Sequence, residues 1–327
     1  MRDHGRRSTP AGEHRPVLLD EVLTALAPVA GNGVVDCTTG WAGHSAELLR
    51  RVGADGRLIG LDLDPENLPR ARERLTVVGF PFALHHSNFA ALPAILAMEN
   101  VEKVDAVLAD LGMSSMQVDD AERGFSYVRD GPLDMRMDRT RGRSAADVLT
   151  TISEEELARA LREYGDEQEA ERVATLLVEA ARQGYLRRTV DVSRVLIEAA
   201  NGGKKEWRLH PAPGKWNLHP AARTFQALRI LVNRELSNLE HLLRVLPTIL
   251  RPGGRAAIIS FHSGEDRLVK SAFRNGMQTG VYEEASAEPI RPDYTERTAN
   301  PRSRSAKLRW ARLTNGPADV EAPRKSK

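Results

Sequence analysis

Three continuous apolar runs constrain this chain more than any other feature. They read GVVDC (33–37), RLIGLDLD (57–64) and VDAVLADLG (104–112). None alternates apolar with polar residues, so each suits a strand covered on both faces, as in a parallel sheet. The first is followed by a Gly-containing turn and the helical pattern SAELLRRV. The second is followed by PENLPRARERL, with Pro65 at the start of a helix, where its missing N–H costs nothing. Strand, turn, helix and strand in repetition predict βαβ units and an α/β fold. A fourth run, LRPGGRAAIISFHS (250–263), reads as a helix end, a Pro-Gly-Gly turn and a strand. Before it, Phe225, Leu228, Leu231, Leu236, Leu239, Leu243 and Leu246 keep helical spacing over several turns.

A βαβ connection usually takes a few tens of residues, yet the third run and this helix lie far apart. The gap contains SEEELARALREYGDEQEAERVATLLVEAARQ, strongly helical, with Ser153 and Glu156 as a capping box. TVDVSRVLIEAAN predicts a further helix capped by Asp191. The pattern therefore predicts a helical insertion leaving the carboxyl edge of a mostly parallel sheet, the edge where open α/β sheets place ligands. The expected division is a sheet domain over 14–120 and 221–313, an inserted helical domain over 121–220, and disordered tails at 1–13 and 314–327.

Bulk composition narrows the class. The chain has 327 residues, 41% of them hydrophobic and 28% charged, the balance of a globular protein with room for a large insertion. No apolar run approaches the roughly 20 residues that span a bilayer, so no membrane partner is expected. MRDHGRRSTPAGEH lacks the apolar segment of a secretory signal. Cys37 is the single cysteine; it excludes an internal disulfide framework and a multi-cysteine zinc site, no metal is expected, and a reducing cytoplasm fits. Net charge is only +2, so a nucleic-acid partner would be met by local basic patches.

The turn after the first run reads DCTTGWAGHS (36–45). Its small residues let a ligand approach the backbone, and the helix that follows offers free N–H groups. Asp62 ends the second run, where an acid can accept hydrogen bonds from ribose hydroxyls. The pattern fits a nucleoside-bearing cofactor. NAD and S-adenosylmethionine are the alternatives. The G-x-G-x-x-G fingerprint that lets a pyrophosphate touch the backbone is absent, which favours S-adenosylmethionine, with Asp36 near its amino-acid tail. Blander roles compete: Gly40 and Gly43 as shapers of a tight turn, Asp64 as a helix cap before Pro65, Cys37 as a small buried residue, and His44 as a structural residue at a helix start.

DLGMSSMQVDDAERGFS (110–126) follows the third run. A strand running into an ordinary surface loop needs no such succession of Asp, Gly, Ser and Gln. With HRPVLLDEVL (14–23), DCTTGWAGHS, GLDLDPENL (60–68), GPLDMRMD (131–138), HPAARTFQALRILVNREL (219–236), RPGGRAAIISFHSGEDRLVK (251–270) and NPRSRSAKLR (300–309), it carries a resemblance. From about His14 to Leu313 the chain resembles the ribosomal RNA small subunit methyltransferase H family, also called MraW. The resemblance implies a class I S-adenosylmethionine-dependent methyltransferase, Rossmann-like, with an inserted helical domain. It also implies S-adenosyl-L-methionine as cofactor and methylation of the N4 amino group of one cytidine in the decoding region of 16S rRNA.

Matched residue by residue, the family's cofactor contacts fall on Ala42, Gly43, His44, Asp62, Phe89, Asp110 and Gln117. Ala42 stands where the family usually has Gly, Met116 where Pro is usual, and Gly264 where Leu is usual; KKEWRLHPAPGKWNLHP (204–220) is longer than expected. Asp110 stands where an acceptor for the amine's N–H would be needed, since the cytosine lone pair is delocalised into the ring. A cofactor contact without proton chemistry is the other role open to it. The Pro-Pro-aromatic clamp common in enzymes that methylate exocyclic amines is missing after Asp110. Ser114 and Ser115 could bind substrate or bond only to backbone.

RNA recognition needs cations for phosphate and flat groups for bases. Lys204, Lys205, Trp207, Arg208, Lys215 and Trp216 interleave the two; Arg302, Arg304, Lys307 and Arg309 form a second basic run; His219 and Arg223 introduce the long helix. For any one of these, a solvated face is the simpler reading. The expected partner is 16S rRNA within the small ribosomal subunit, and a homodimer is carried as a further expectation. Two rivals are a DNA cytosine-N4 methyltransferase and a non-catalytic RNA-binding module that holds S-adenosylmethionine as a structural ligand.

Overall fold

In a computed structural model the described residues are 16–113, 115–200 and 219–316, apart from the side chains at 115, 116 and 200. Ser114 and the basic-aromatic stretch 204–216 lie outside them. The chain divides into two compact units, one from residues up to Gly112 and from Ser237 onward, the other Met113–Leu236.

The first unit runs α1 (Leu19–Leu26), β1 (Gly33–Asp36), α2 (Gly43–Val52), β2 (Arg57–Asp62), α3 (Leu68–Val78), β3 (Phe82–His86), α4 (Leu92–Met98) and β4 (Val104–Asp110). The second holds α5 (Ser115–Asp119), α6 (Ala145–Thr151), α7 (Glu154–Gly165), α8 (Ala170–Arg182), α9 (Thr189–Ala200) and α10 (Ala221–Asn233). The first then resumes with α11 (Glu235–Ile249), β5 (Leu250–Ser260), α12 (Ser263–Gln278), β6 (Tyr282–Ala285), α13 (Tyr294–Ala299) and β7 (Lys307–Leu313).

The seven strands form one sheet in the order β3-β2-β1-β4-β5-β7-β6. β1 to β5 are parallel, and β7 runs antiparallel to both β5 and β6. The continuous apolar runs have their physical reason here. In β4, Val107 and Ala109 join the core with α4, α11 and α12, while Ala106 and Leu108 join the one with α1, α2 and α3. Both faces are dry, so neither side of the strand needs a polar residue. Strand order reverses between β1 and β4, which puts a crevice beyond their carboxyl ends. This is a doubly wound, mostly parallel sheet.

Several expectations are corrected in detail. The long helix of 221–249 is two helices, because Arg234 is left-handed (φ 52°) and ends α10. α10 packs into the helical core, with Phe225 and Leu228 beside Leu157 and Leu177; the sequence division had placed it with the sheet. The Pro-Gly-Gly of 252–254 does not precede β5 but lies within it as an irregularity, Val104 pairing with Leu250 and Ala106 with Arg255. Asp191 does not precede α9; it sits in the first turn and accepts from the Arg188 N–H at 2.8 Å. The capping boxes are as expected at Ser153/Glu156 and also present at Ser144/Asp147. Ser153→Ala should lower the unfolding midpoint of the helical unit by about 1 kcal/mol equivalent; an unchanged urea midpoint would show that this cap is idle.

Candidate active site

Three neighbouring parallel strands, β2, β1 and β4, each end in an aspartate: Asp62, Asp36 and Asp110. A backbone turn from β1 to α2 threads between them. Thr39 N–H donates to the Leu61 carbonyl (2.9 Å) and Gly40 N–H to Asp62 Oδ2 (2.6 Å). Asp110 N–H donates to Thr38 Oγ1 (2.7 Å). The turn is thereby tied to the ends of both flanking strands.

Asp36 and Asp62 are each held by several protein donors, Asp110 by the Gly112 backbone. Asp36, 1% exposed, accepts from Thr38 N–H (3.1 Å) and from the Ser45 hydroxyl (2.5 Å). These bonds give Asp36, expected at an amino-acid tail, an internal role as anchor of α2. Asp62 accepts from Gly40 N–H with one oxygen, and from Asp64 N–H (2.8 Å) and Asn67 Nδ2 (3.2 Å) with the other. Asp110 differs. Its Oδ2 lies 3.8 Å from His44 Nδ1, and its Oδ1 is buried with no hydrogen-bond partner among the described residues.

Burial raises the pKa of all three. Asp62 is pushed up to about 6 by burial, against the bonds from Asp64 and Gly40. Asp110 is pushed to about 6 by burial, with His44 and the Gly112 backbone acting against the shift and Asp36 and Glu265 adding to it. Asp36 is raised by burial, opposed by Ser45 and His44. Desolvated acids crowded on one rim are relieved by a cation or by hydrogen-bond donors.

α2 begins at Gly43 without any side-chain cap, so its first N–H groups point outward without intrahelical partners. Gly43 has no room for a side chain: an added Cβ would come within 2.7 Å of Pro16 Cγ. Ala42 is fully buried and left-handed (φ 58°), a conformation that favours Gly. The chain holds this conformation with the Ala42 methyl buried. His44 Nε2 is 2.9 Å from the Val17 carbonyl; accepting carbonyls place a proton there, which leaves Nδ1 toward Asp110.

Phe89 opens a short 3-10 turn after β3 and is half-buried against the sheet core. Ser87 N–H donates to the Asp62 carbonyl (3.0 Å), holding this segment beside the end of β2. Gln117 is buried on α5 in the helical unit. Asp64 caps the turn after β2, accepting from Glu66 N–H, and Cys37 is buried, with its thiol pushed up by that burial.

The basic candidates separate. Arg302 and Arg304 are exposed on a 3-10 turn, Pro301–Ser305. Lys307 and Arg309 instead converge on Asp266, at 3.1 and 2.7 Å. Burial opposes this, but the bonds from Arg309 and Lys307 hold the Asp266 carboxyl below its usual range. Arg309 is itself buried. In the helical unit, His219 stacks on Tyr127 with ring centroids 4.8 Å apart, and its Nδ1 accepts from Ala221 N–H (3.1 Å). Burial lowers its pKa. Arg223 is half-exposed on α10. Sequence reasoning missed Thr38, whose hydroxyl fixes the Asp110 backbone. The T-T pair in the turn was the available signal.

Comparison with known proteins places these features in a family. The profile of the MraW methylase family matches residues 11–314. A ribosomal RNA small subunit methyltransferase H from Geobacter sp. (strain M21) is 45% identical, covering 90% of this chain and 97% of the relative. Its namesake from Sorangium cellulosum is 44% identical, covering 94% and 93%. An rRNA methylase structure from Streptococcus thermophilus is a distant likeness, with a TM-score of 0.40 at 11% identity over 90% of this chain and 93% of that one. With a match spanning nearly all of its length, and relatives above 40% identical over nine-tenths of it, this chain belongs to the MraW methylase family.

Proposed function

We propose that this chain transfers a methyl group from S-adenosyl-L-methionine to the N4 amine of a cytidine in 16S rRNA. The observation that carries the reading is Asp110 Oδ1, a buried acceptor without a donor among the described residues, at the carboxyl end of β4. Its neighbours fit the cofactor. The uncapped first turn of α2 at Gly43 and His44 suits a carboxylate. Asp62 suits the ribose hydroxyls, and Phe89, on the β3 side of Asp62, offers an aromatic edge to the adenine. Ala42 contributes its backbone. Gln117 is the family's remaining contact and is proposed for the same role. S-adenosylmethionine supplies, when bound, an activated methyl on a cationic sulfur, and three desolvated carboxyls are an environment that favours a cation.

Asp110 Oδ1 then accepts a hydrogen bond from the N4 amine, localises the nitrogen lone pair and takes the proton as the methyl arrives. A carboxyl near pH 6 is well matched to such a task. Holding amine and methyl in line supplies much of the remaining acceleration. The target base must be unpaired or turned out of its stack. Arg302, Arg304 and Arg223 are the proposed phosphate contacts, with His219 just ahead of the helix that carries Arg223; Lys307 would contribute beside its ion pair. The proposed setting is the cytoplasm, with the small ribosomal subunit as substrate and a homodimer as the assembly to be weighed.

The test offers labelled S-adenosylmethionine to wild-type protein with separate pools of naked 16S rRNA, small subunits and DNA. Label is expected in rRNA or subunits, at N4 of cytidine after digestion. Label confined to DNA would replace the substrate, and tight cofactor binding without transfer to any pool would favour the non-catalytic module. Sedimentation of the same sample decides between monomer and dimer.

A further inference from the structure

The turn that leaves β5 holds a second buried polar pair, next to Asp110 in the sheet. β4 and β5 are neighbours, with Asp110 paired to Ile259 and Leu111 N–H bonded to the Ile259 carbonyl. Beyond them, the Phe261 ring lies so close to Gly112 that an added Cβ would come within 2.7 Å of it. His262 and Glu265 follow at once. Phe261 N–H and His262 N–H both donate to Glu265 Oε2, at 2.8 and 3.3 Å, and Glu265 is 2% exposed.

His262 is the N-cap of α12, its Nδ1 accepting from Glu265 N–H at 3.5 Å. That assignment leaves the ring proton on Nε2. Nε2 lies 3.1 Å from Glu265 Oε1, yet among the described residues it makes no hydrogen bond. The side chain is 8% exposed. Capping alone does not account for histidine here, because Ser, Thr, Asp and Asn cap better. Among the described residues, the rim of this one unit therefore carries an acceptor without a hydrogen-bond donor, Asp110 Oδ1, and in the adjacent turn a donor without a hydrogen-bond acceptor, His262 Nε2.

Cytosine presents the complementary pair, an N4 amine that donates and an N3 that accepts, side by side on one edge. Uracil reverses both. Resting on the function proposed above, we propose that His262 selects the target base by donating from Nε2 to N3 of cytosine while Asp110 accepts from its N4 amine. Glu265 holds the imidazole in place through its own N–H on Nδ1 and through its carboxylate on the backbone N–H groups of Phe261 and His262. No bond is made or broken at His262; it reads and positions the base.

His262→Ser keeps the helix cap and completes a Ser-x-x-Glu capping box with Glu265, but removes the ring donor. Its thermal midpoint and cofactor affinity should match wild type, while single-turnover methylation of cytidine falls about 10²-fold, the loss of one buried hydrogen bond. Small subunits carrying 3-deazacytidine at the target position, which has C–H in place of N3, should slow wild type comparably and slow His262→Ser no further. Methylation by His262→Ser at the wild-type rate would overturn the proposal. So would a deaza substrate that slows the variant by the full factor again. If His262→Ser lost its fold, His262→Asn, another capping residue, would take the same measurements. Wild-type protein that methylated no rRNA at all would refute the function itself, a result distinct from either.

Discussion

Asp110→Asn is expected to reduce single-turnover methyl transfer by about 10²–10⁴-fold while the protein stays folded. The range is that for removing a positioned general base. The substitution keeps the shape of the side chain, and the backbone N–H that anchors it to Thr38 Oγ1 is untouched. What changes is one oxygen, which becomes an NH₂ group unable to accept from an amine. The measurement is rapid-quench transfer of labelled methyl, with cofactor affinity determined on the same sample by calorimetry. A rate loss at nearly constant affinity assigns Asp110 to the amine. A parallel loss of affinity assigns it to the cofactor, the other role its position allows. A rate within threefold of wild type would remove Asp110 from the chemistry altogether.

The second large effect is at Asp62. Asp62→Ala should weaken S-adenosylmethionine binding by about 1–3 kcal/mol, roughly 5- to 150-fold in Kd, the loss expected when a charged acceptor is deleted. Unchanged affinity would show that the ribose lies elsewhere. The same carboxyl predicts two opposite pH trends. Burial raises it to about 6 from an ordinary value of 3.8, so the folded state binds the proton more tightly than the unfolded chain does. The ligand-free protein should therefore lose stability as pH rises from about 4 to about 6, and hold level above that. Cofactor affinity should run the other way, strengthening through pH 6 as the better acceptor forms. Asp110 titrates in the same range and adds to both trends. Asp62→Ala should flatten each trend in part, read by chemical unfolding and by calorimetry between pH 5 and 8.

The sheet was legible where its chemistry was extreme. β1, β2 and β4 are covered on both faces, and between their charged ends, Asp105 of β4 included, their residues are apolar. β3 was not seen, because FALHH is only half-buried and its composition is close to that of a loop. β7, KLRWARL, carries three cations. Two of them, Lys307 and Arg309, pair with Asp266, a partner 41 residues away or more that no local pattern reveals. The same cations read as an RNA patch in the linear sequence for that reason. The break at Arg234 was equally hidden, since a left-handed arginine leaves the spacing of leucines on either side intact. At the site, the residue types and their strand-end positions were readable. Which carboxylate stays open was not. Asp36, Asp62 and Asp110 look alike in sequence, and only the count of donors around each separates the two anchors from the acceptor.

Residues 111–249 intervene between β4 and β5, the central neighbours of the sheet. During synthesis the helical unit is a single uninterrupted segment and emerges whole before β5 exists. Its core needs nothing encoded later than Leu236. The sheet cannot close until β5 leaves the exit tunnel and finds a partner made much earlier, a pairing of high contact order and slow intrinsic rate. β1, β2 and β4 meanwhile present an unfilled apolar edge at β4. A nascent chain stalled before residue 250 would be the species most exposed to aggregation and the one most dependent on chaperones.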